Sequence, residues 1–300
     1  MKNQLQYDVP ENKKIRVIVD TDAACEADDP FAIAQALMSK KLEVKALFAE
    51  QFGGPDTTKK SYDEIITILS CMEMDVPVFM GEEGNLQQVQ GKPLSEAGAF
   101  LAQEAMREEE KPLFVLCLGA ITNVARAMQF HPEIKGKFTV IWIGGQDVDH
   151  PNPDLREFNS GNDIKAANFV LQSGIDLWLV PFHVYSTMHI SLAEIERRIY
   201  PCGKIGKHLF ENMVHYNMGL HAGWTAGESW SLGDNPAVGL AISPACGKYC
   251  MRPAPFVNPD TTCTEKEHAP LIRVYENIDS RFVLEDMMCK LELMYGGEKA

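Results

Sequence analysis

The chain has 300 residues, 45% hydrophobic and 23% charged, with a formal net charge of -14 and eight cysteines. That apolar share supports a sizeable core without disulfides, and the acidic balance makes nucleic acid and anionic membrane surfaces poor partners. The N-terminus, MKNQLQYDVPENKK, carries no apolar signal segment, and no run reaches the ~18 apolar residues of a spanning helix, so a cytoplasmic protein with reduced thiols is expected.

In chain order, short β-rich runs alternate with helical patterns. KIRVIVD (14–20) reads as a buried strand, and DPFAIAQALMSK (29–40) has helical spacing. VKALFAE (44–50) is a second strand, followed by the helix SYDEIITILSCME (61–73) with a capping-box-like Ser61…Glu64. After the strand VPVFMG (76–81) comes a helix over 95–110 with Ser95 as N-cap, then the apolar strand LFVLCLG (113–119). The helix ITNVARAMQF (121–130) stops at His131-Pro132, and FTVIWIGG (138–145) is a strand running into glycines. DIKAANFVLQSG (163–174) is a helix, DLWLVPF (176–182) a strand, and the stretch from about 190 to 235 reads as helical. NPAVGLAI (235–242) begins another helix, residues 247–273 look hairpin-like, and SRFVLEDMMCKLELM (280–294) closes the chain as a helix. Repeated βα units of this kind predict an α/β fold: one domain over 1–300 with an open, mostly parallel, doubly wound (Rossmann-like) sheet and helices on both faces.

Such sheets bind ligands beyond the carboxyl ends of their strands. The first strand runs into VIVDTDAACEADDPFAI, where Asp20, Asp22, Glu26, Asp28 and Asp29 fall within ten positions. Carboxylates this close repel one another unless a cation lies between them, and a hard cation with oxygen ligands answers that need. Helix capping by Asp28 or Asp29 explains one of the five at most. Zinc is not expected: Cys246 and Cys250 lie four apart and no second ligand pair follows. Haloacid-dehalogenase-like phosphatases also place Asp-x-Asp after a first strand. They want Thr or Val where this chain has Ala24, and their later Lys and acidic pair find no match.

Five segments, in order, resemble the nucleoside hydrolase family: DTDAACEADDPFAI, LGAITNVARAM (118–128), VIWIGG (140–145), REFNSGNDIKAANFVL (156–171) and GDNPAVGLA (233–241). The resemblance spans nearly the whole chain and implies a calcium-dependent enzyme that cleaves the N-glycosidic bond of ribonucleosides. It implies that Asp22 binds calcium and acts as general base on the attacking water. Asp29, Asp234 and the backbone carbonyl of Leu118 are implied as the other protein ligands. Asp28, Glu157, Asn159, Asn152 and His183 are implied sugar contacts, and the family resemblance also implies a homodimer or homotetramer.

Three departures stand out. The turn between Asp22 and Asp28 is two residues longer than the family's and contains Glu26. The second strand ends in EQFGG, where the family has Gly-Asn, leaving Glu50 or Gln51 as substitutes. Gly233 stands where the family often carries a histidine that serves as leaving-group acid, so that role falls to no assigned residue; His221, Glu228, Trp224 and Trp230 are candidates near the base. Two further readings therefore stay open: the same metal site acting on another ribosyl or glycosyl compound, and a non-catalytic calcium-dependent sugar- or nucleoside-binding protein.

Overall fold

A computed structural model describes residues 5–297. Its strands are β1 (Ile15–Thr21), β2 (Leu42–Ala49), β3 (Val78–Met80), β4 (Leu113–Cys117), β5 (Thr139–Ile143), β6 (Asp176–Val180), β7 (His189–Ser191), β8 (Ser229–Ser231), β9 (Gly247–Pro253), β10 (Phe256–Val257), β11 (Cys263–Thr264) and β12 (Leu271–Ile278). The helices are α1 (Asp29–Met38), α2 (Thr57–Met72), α3 (Glu96–Ala105), α4 (Thr122–Phe130), α5 (Phe158–Asn162), α6 (Ile164–Leu171), α7 (Phe182–Tyr185), α8 (Leu192–Arg198), α9 (Gly203–Asn217), α10 (Asn235–Ile242) and α11 (Ser280–Tyr295).

Eight strands form one sheet in the order β3-β2-β1-β4-β5-β6-β12-β9. Every neighbouring pair is parallel except β12 and β9, which run antiparallel at one edge. Alternation along the strands explains why both faces need cover. Val17, Val19, Leu116 and Ile141 point into a core shared with Phe31 of α1, Ile65 of α2, Leu209 of α9, Val238 of α10 and Met287 of α11. Ile18, Val115, Cys117 and Val140 point the other way, into a core with Leu101 of α3, Val124 of α4 and Val170 of α6. The expected doubly wound α/β class is the one observed.

Winding reverses between β1 and β4, which are adjacent at the middle of the sheet. Loops leaving the carboxyl ends of these two strands diverge to opposite faces and open a crevice there. Asp20 to Asp29 and Leu118 to Asn123 therefore meet, although about a hundred residues separate them in sequence.

Two expectations about local structure need correction, and a third holds in a larger setting. Helix α2 begins at Thr57, not Ser61; Asp56, at φ 59°, ends the preceding turn, and Ser61 lies buried inside the helix. The hairpin-like reading of residues 247–273 holds, with β9 and β12 pairing antiparallel. Strand β9 pairs with β12, which continues to Ile278 and docks in parallel on β6, so both belong to the main sheet; the two-residue pair β10–β11 lies between them in sequence. The span read as helical from 190 to 235 holds α8 and α9 but also the antiparallel pair β7–β8, whose pairing brings Ile190 opposite Trp230.

Candidate active site

Strand β1 ends by delivering Asp20, Thr21 and Asp22 into the crevice, and the long turn returns through Glu26 to Asp28 and Asp29 at the start of α1. Asp234 stands in the same relation to α10. Both Asp28 and Asp234 occupy N-cap positions, yet neither side chain caps its helix. Capping therefore does not account for them. Instead Asp28 Oδ2 accepts from the backbone N–H of Gly233 at 3.0 Å, tying the β1 turn to the α10 start. Asp29 accepts from the Thr21 hydroxyl.

Asp22, Glu26, Asp28, Asp29 and Asp234 line one small pocket of about 70 Å³ together with Leu118, Asn159, Tyr185 and Gly233. Ligand oxygens of Asp28, Asp29 and Asp234 lie within 4.8 Å of one another. Asp22 is not part of that triplet but faces the same space, packed against Gly119: a Cβ on Gly119 would sit 2.1 Å from Asp22 Oδ1. The Leu118 carbonyl accepts from Asn159 Nδ2 at 2.6 Å, which leaves it a second lone pair.

Electrostatics here are unbalanced. Asp22, Asp29 and Asp234 are at most 4% exposed and Asp28 9%. Burial, followed by the charges of Asp29, Glu26 and Asp28, pushes the Asp22 carboxyl well above the usual carboxylate range. Asp234 is raised in the same way, by burial and then by Asp28, Asp29 and Asp22. Asp28 follows, through burial, Glu26 and Asp29. Glu26 is pushed up to about 7, by burial first and Asp29 second. The carboxyl groups of Asp29 and Asp234 lie within hydrogen-bonding reach of one another. The leading charges on each of these groups are other carboxylates, and a cation between them would offset that repulsion.

Beneath the pocket lies a second polar layer that sequence reading did not resolve. Asn123, at the start of α4, donates through Nδ2 to Asp20 at 2.8 Å and through its backbone N–H to Glu50 at 3.1 Å. Its Oδ1 accepts from the Glu82 backbone at 2.8 Å. Glu50 also accepts from the Gln51 backbone, so the altered β2 end belongs to this buried layer rather than to the pocket wall. The signal was present in LGAITN, where a polar Asn follows an apolar strand.

Of the implied sugar contacts, Asp28 and Asn159 line the pocket; Glu157, Asn152 and His183 do not. Glu157 is 1% exposed and caps α5, accepting from the backbone N–H groups of Asn159 and Ser160. It also accepts from the Gly145 N–H at 2.8 Å and the Tyr185 hydroxyl at 2.9 Å, so its oxygens are already engaged. Asn152 sits on an exposed loop, held by its N–H on Gln146 Oε1. His183 lines a separate cleft with Asp147, Asp149 and Arg252.

Opening from the acid pocket is a chamber of about 820 Å³. Glu26, Asp28, Phe158, Tyr185 and Gly233 line both spaces, so the two are continuous. Six rings wall the chamber: Phe158, Phe182, Tyr185, Tyr216, Trp224 and Trp230. Trp230 packs edge-on to Tyr216 at 5.3 Å and tilted against Trp224 at 5.3 Å. A wall of aromatic rings suits a planar aromatic ligand. Trp224 and Trp230 were expected near a base; the other four were not, because they join only through the tertiary path. Glu228 is exposed beside the chamber and does not line it, and the side chain of His221 lies outside the described residues.

Comparisons with known proteins agree with this geometry. A family model described as "Inosine-uridine preferring nucleoside hydrolase" matches residues 17–283. The pyrimidine-specific ribonucleoside hydrolase RihA of Salmonella typhimurium is 30% identical over 204 residues, covering 60% of this chain and 64% of the relative. RihA of Salmonella paratyphi A matches to the same extent, so the chain spans 64%, less than two thirds, of the length of these relatives. Among solved structures, a plant nucleoside hydrolase aligns with a TM-score of 0.75 at 20% identity, over 92% of this chain and 98% of that one. A purine-preferring ribonucleoside hydrolase from Gardnerella vaginalis gives 0.76 at 18% identity, over 93% and 99%. At such identities the structural matches speak for the fold.

Proposed function

The chain belongs to the inosine-uridine preferring nucleoside hydrolase family, and from that premise we propose that it hydrolyses the N-glycosidic bond of ribonucleosides, with calcium held in the acid pocket. The observation that carries the reading is the continuity of the two spaces. A pocket lined by buried carboxylates opens directly into a larger chamber walled by aromatic rings, an arrangement that suits a sugar joined to a planar base.

Asp22, Asp29, Asp234 and the Leu118 carbonyl would hold the ion, a set of oxygen donors that fits calcium rather than a softer metal. When bound, it supplies a Lewis-acidic centre that makes a coordinated water more acidic and orients oxygen ligands. Asp22 takes the proton as the water oxygen bonds to C1′. The C1′–N bond breaks, and its electron pair leaves with the base. Asp28, anchored on Gly233, accepts a hydrogen bond from a ribose hydroxyl. Positive charge develops on the sugar in the transition state, and the surrounding carboxylates stabilise it. Chamber rings hold the base and keep water from its far side.

All eight cysteines are free thiols, which suits a reducing compartment, and the reading places the enzyme in the cytoplasm. No helix among the described residues is long and apolar enough to cross a membrane.

The test is ribose release from a panel of purine and pyrimidine ribonucleosides, with and without a calcium chelator. Release that stops on chelation and returns with calcium supports both reaction and ion. Release unaffected by chelation removes the ion. No release from any ribonucleoside by calcium-loaded protein rejects the reaction and leaves other glycosides or binding alone.

A further inference from the structure

Gly233 has an unusual neighbour. A Cβ built on it would lie 3.0 Å from Tyr185 Cδ2 and 3.3 Å from Asp28 Oδ2. A side chain at 233 would thus press on the Tyr185 ring, which would have to give by a few tenths of an ångström. That ring is one of the few groups lining both the acid pocket and the aromatic chamber. It stands at their junction, where the bond between sugar and base must lie if the proposed reading holds.

Its placement is fixed from behind. The Tyr185 hydroxyl donates to Glu157 Oε1 at 2.9 Å, and Glu157 is the carboxylate that caps α5 and accepts from Gly145. Helix α5 carries Phe158 and Asn159, which line the same pocket. Phe182 meets the Tyr185 ring edge-on at 5.3 Å and 82°. With its hydroxyl engaged by a buried acceptor, Tyr185 presents carbon, not oxygen, to the cavity.

We propose that Tyr185 is the specificity-determining residue at the sugar–base junction, and that the absence of a side chain at Gly233 lets this ring keep its close position. The inference rests on the ribonucleoside reading and adds to it a residue and a mechanism of selection. Tyr185 offers an apolar surface to the proximal edge of the base and donates no proton to it. Glu157 acts through Tyr185 and is a positioning residue.

The experiment compares wild type, Tyr185→Ala, Tyr185→Phe, Gly233→Ala and the Gly233→Ala/Tyr185→Ala double variant. Steady-state constants are measured for adenosine and uridine. Dissociation constants for the same two ligands come from quenching of tryptophan fluorescence, which needs no turnover. Loss of a stacking surface used in ground and transition states raises KM with kcat nearly unchanged. Tyr185→Ala should therefore raise KM and Kd about tenfold, unequally for the two bases, with kcat within about threefold. Tyr185→Phe keeps the ring and loses its anchor, so an increase of about threefold is expected. Gly233→Ala should weaken binding in wild type but add nothing once Tyr185 is alanine, the signature of a residue acting through its neighbour. Binding constants within twofold of wild type in Tyr185→Ala overturn the proposal. So does a Gly233→Ala effect that persists undiminished in the double variant. Ligand binding without ribose release in wild type rejects the hydrolase reading while leaving Tyr185 decided by its Kd values.

Discussion

Gly119→Ala tests the geometry of the acid pocket most directly. A Cβ at 119 would stand 2.1 Å from Asp22 Oδ1 and 2.5 Å from its Cγ. An ordinary carbon–oxygen contact is roughly 3.3 Å, so about 1 Å of separation must be found. The backbone at 119 is poorly placed to yield it, because its carbonyl accepts from the buried Trp142 indole at 3.0 Å. Asp22 must move instead. Misplacement of about 1 Å in a reacting group costs on the order of 100-fold in rate, so kcat/KM for ribose release should fall about 100-fold. Overpacking of this kind costs about 1–3 kcal/mol, which lowers Tm by a few degrees and leaves the circular dichroism spectrum of a folded protein. The assay is ribose release under calcium saturation beside a thermal melt. A Gly119→Ala enzyme with kcat/KM within threefold of wild type would refute the placement of Asp22 as base.

Two further outcomes follow from the same charges. Asp22→Asn should abolish turnover, because base and ligand are lost together, while raising the Tm of chelated protein at pH 8, since a buried repelling charge is removed; full activity in this variant would sink the mechanism. Chelated wild type should lose stability as pH rises. Glu26 stands at about 7 in the fold, raised by burial and then by Asp29, so the native state holds a proton that the unfolded chain has released, and stability present below about pH 4 is lost as pH climbs to about 7. One such group contributes on the order of 3 kcal/mol across that window. Calcium should abolish most of the loss at pH 8, and a chelated protein whose Tm is flat or rising between pH 5 and 8 would contradict the buried-acid picture.

Much of this was legible in the sequence because it is local. The apolar runs of β1 and β4 to β6 and the five clustered acids needed no tertiary knowledge. Asp22, Asp28, Asp29, Leu118, Asn159 and Asp234 line one pocket in the fold. What was not legible depends on the path of the chain. The first turn of α2, TTKK, has no apolar periodicity, so Ser61 was a better-looking start than Thr57. Glu157 reads as a site acid in sequence, but its donors come from residues 145 to 185, and only folding reveals that they consume it. The chamber rings are scattered from Phe158 to Trp230 with no shared spacing.

The division between the two spaces also bears on how such an enzyme changes over time. The acids are contributed by the end of β1, the turn into α1 and the start of α10, at the centre of the sheet. Five of the six chamber rings lie between residues 182 and 230, or in Tyr216 of α9 among them, within one stretch leaving β6 and returning before α10; Phe158 is the exception. Drift or recombination confined to that stretch can redraw which leaving group is accepted without touching the bond-breaking apparatus. A lineage built this way can explore new diets one segment at a time, and a grafted stretch from a relative is the corresponding route for an engineer.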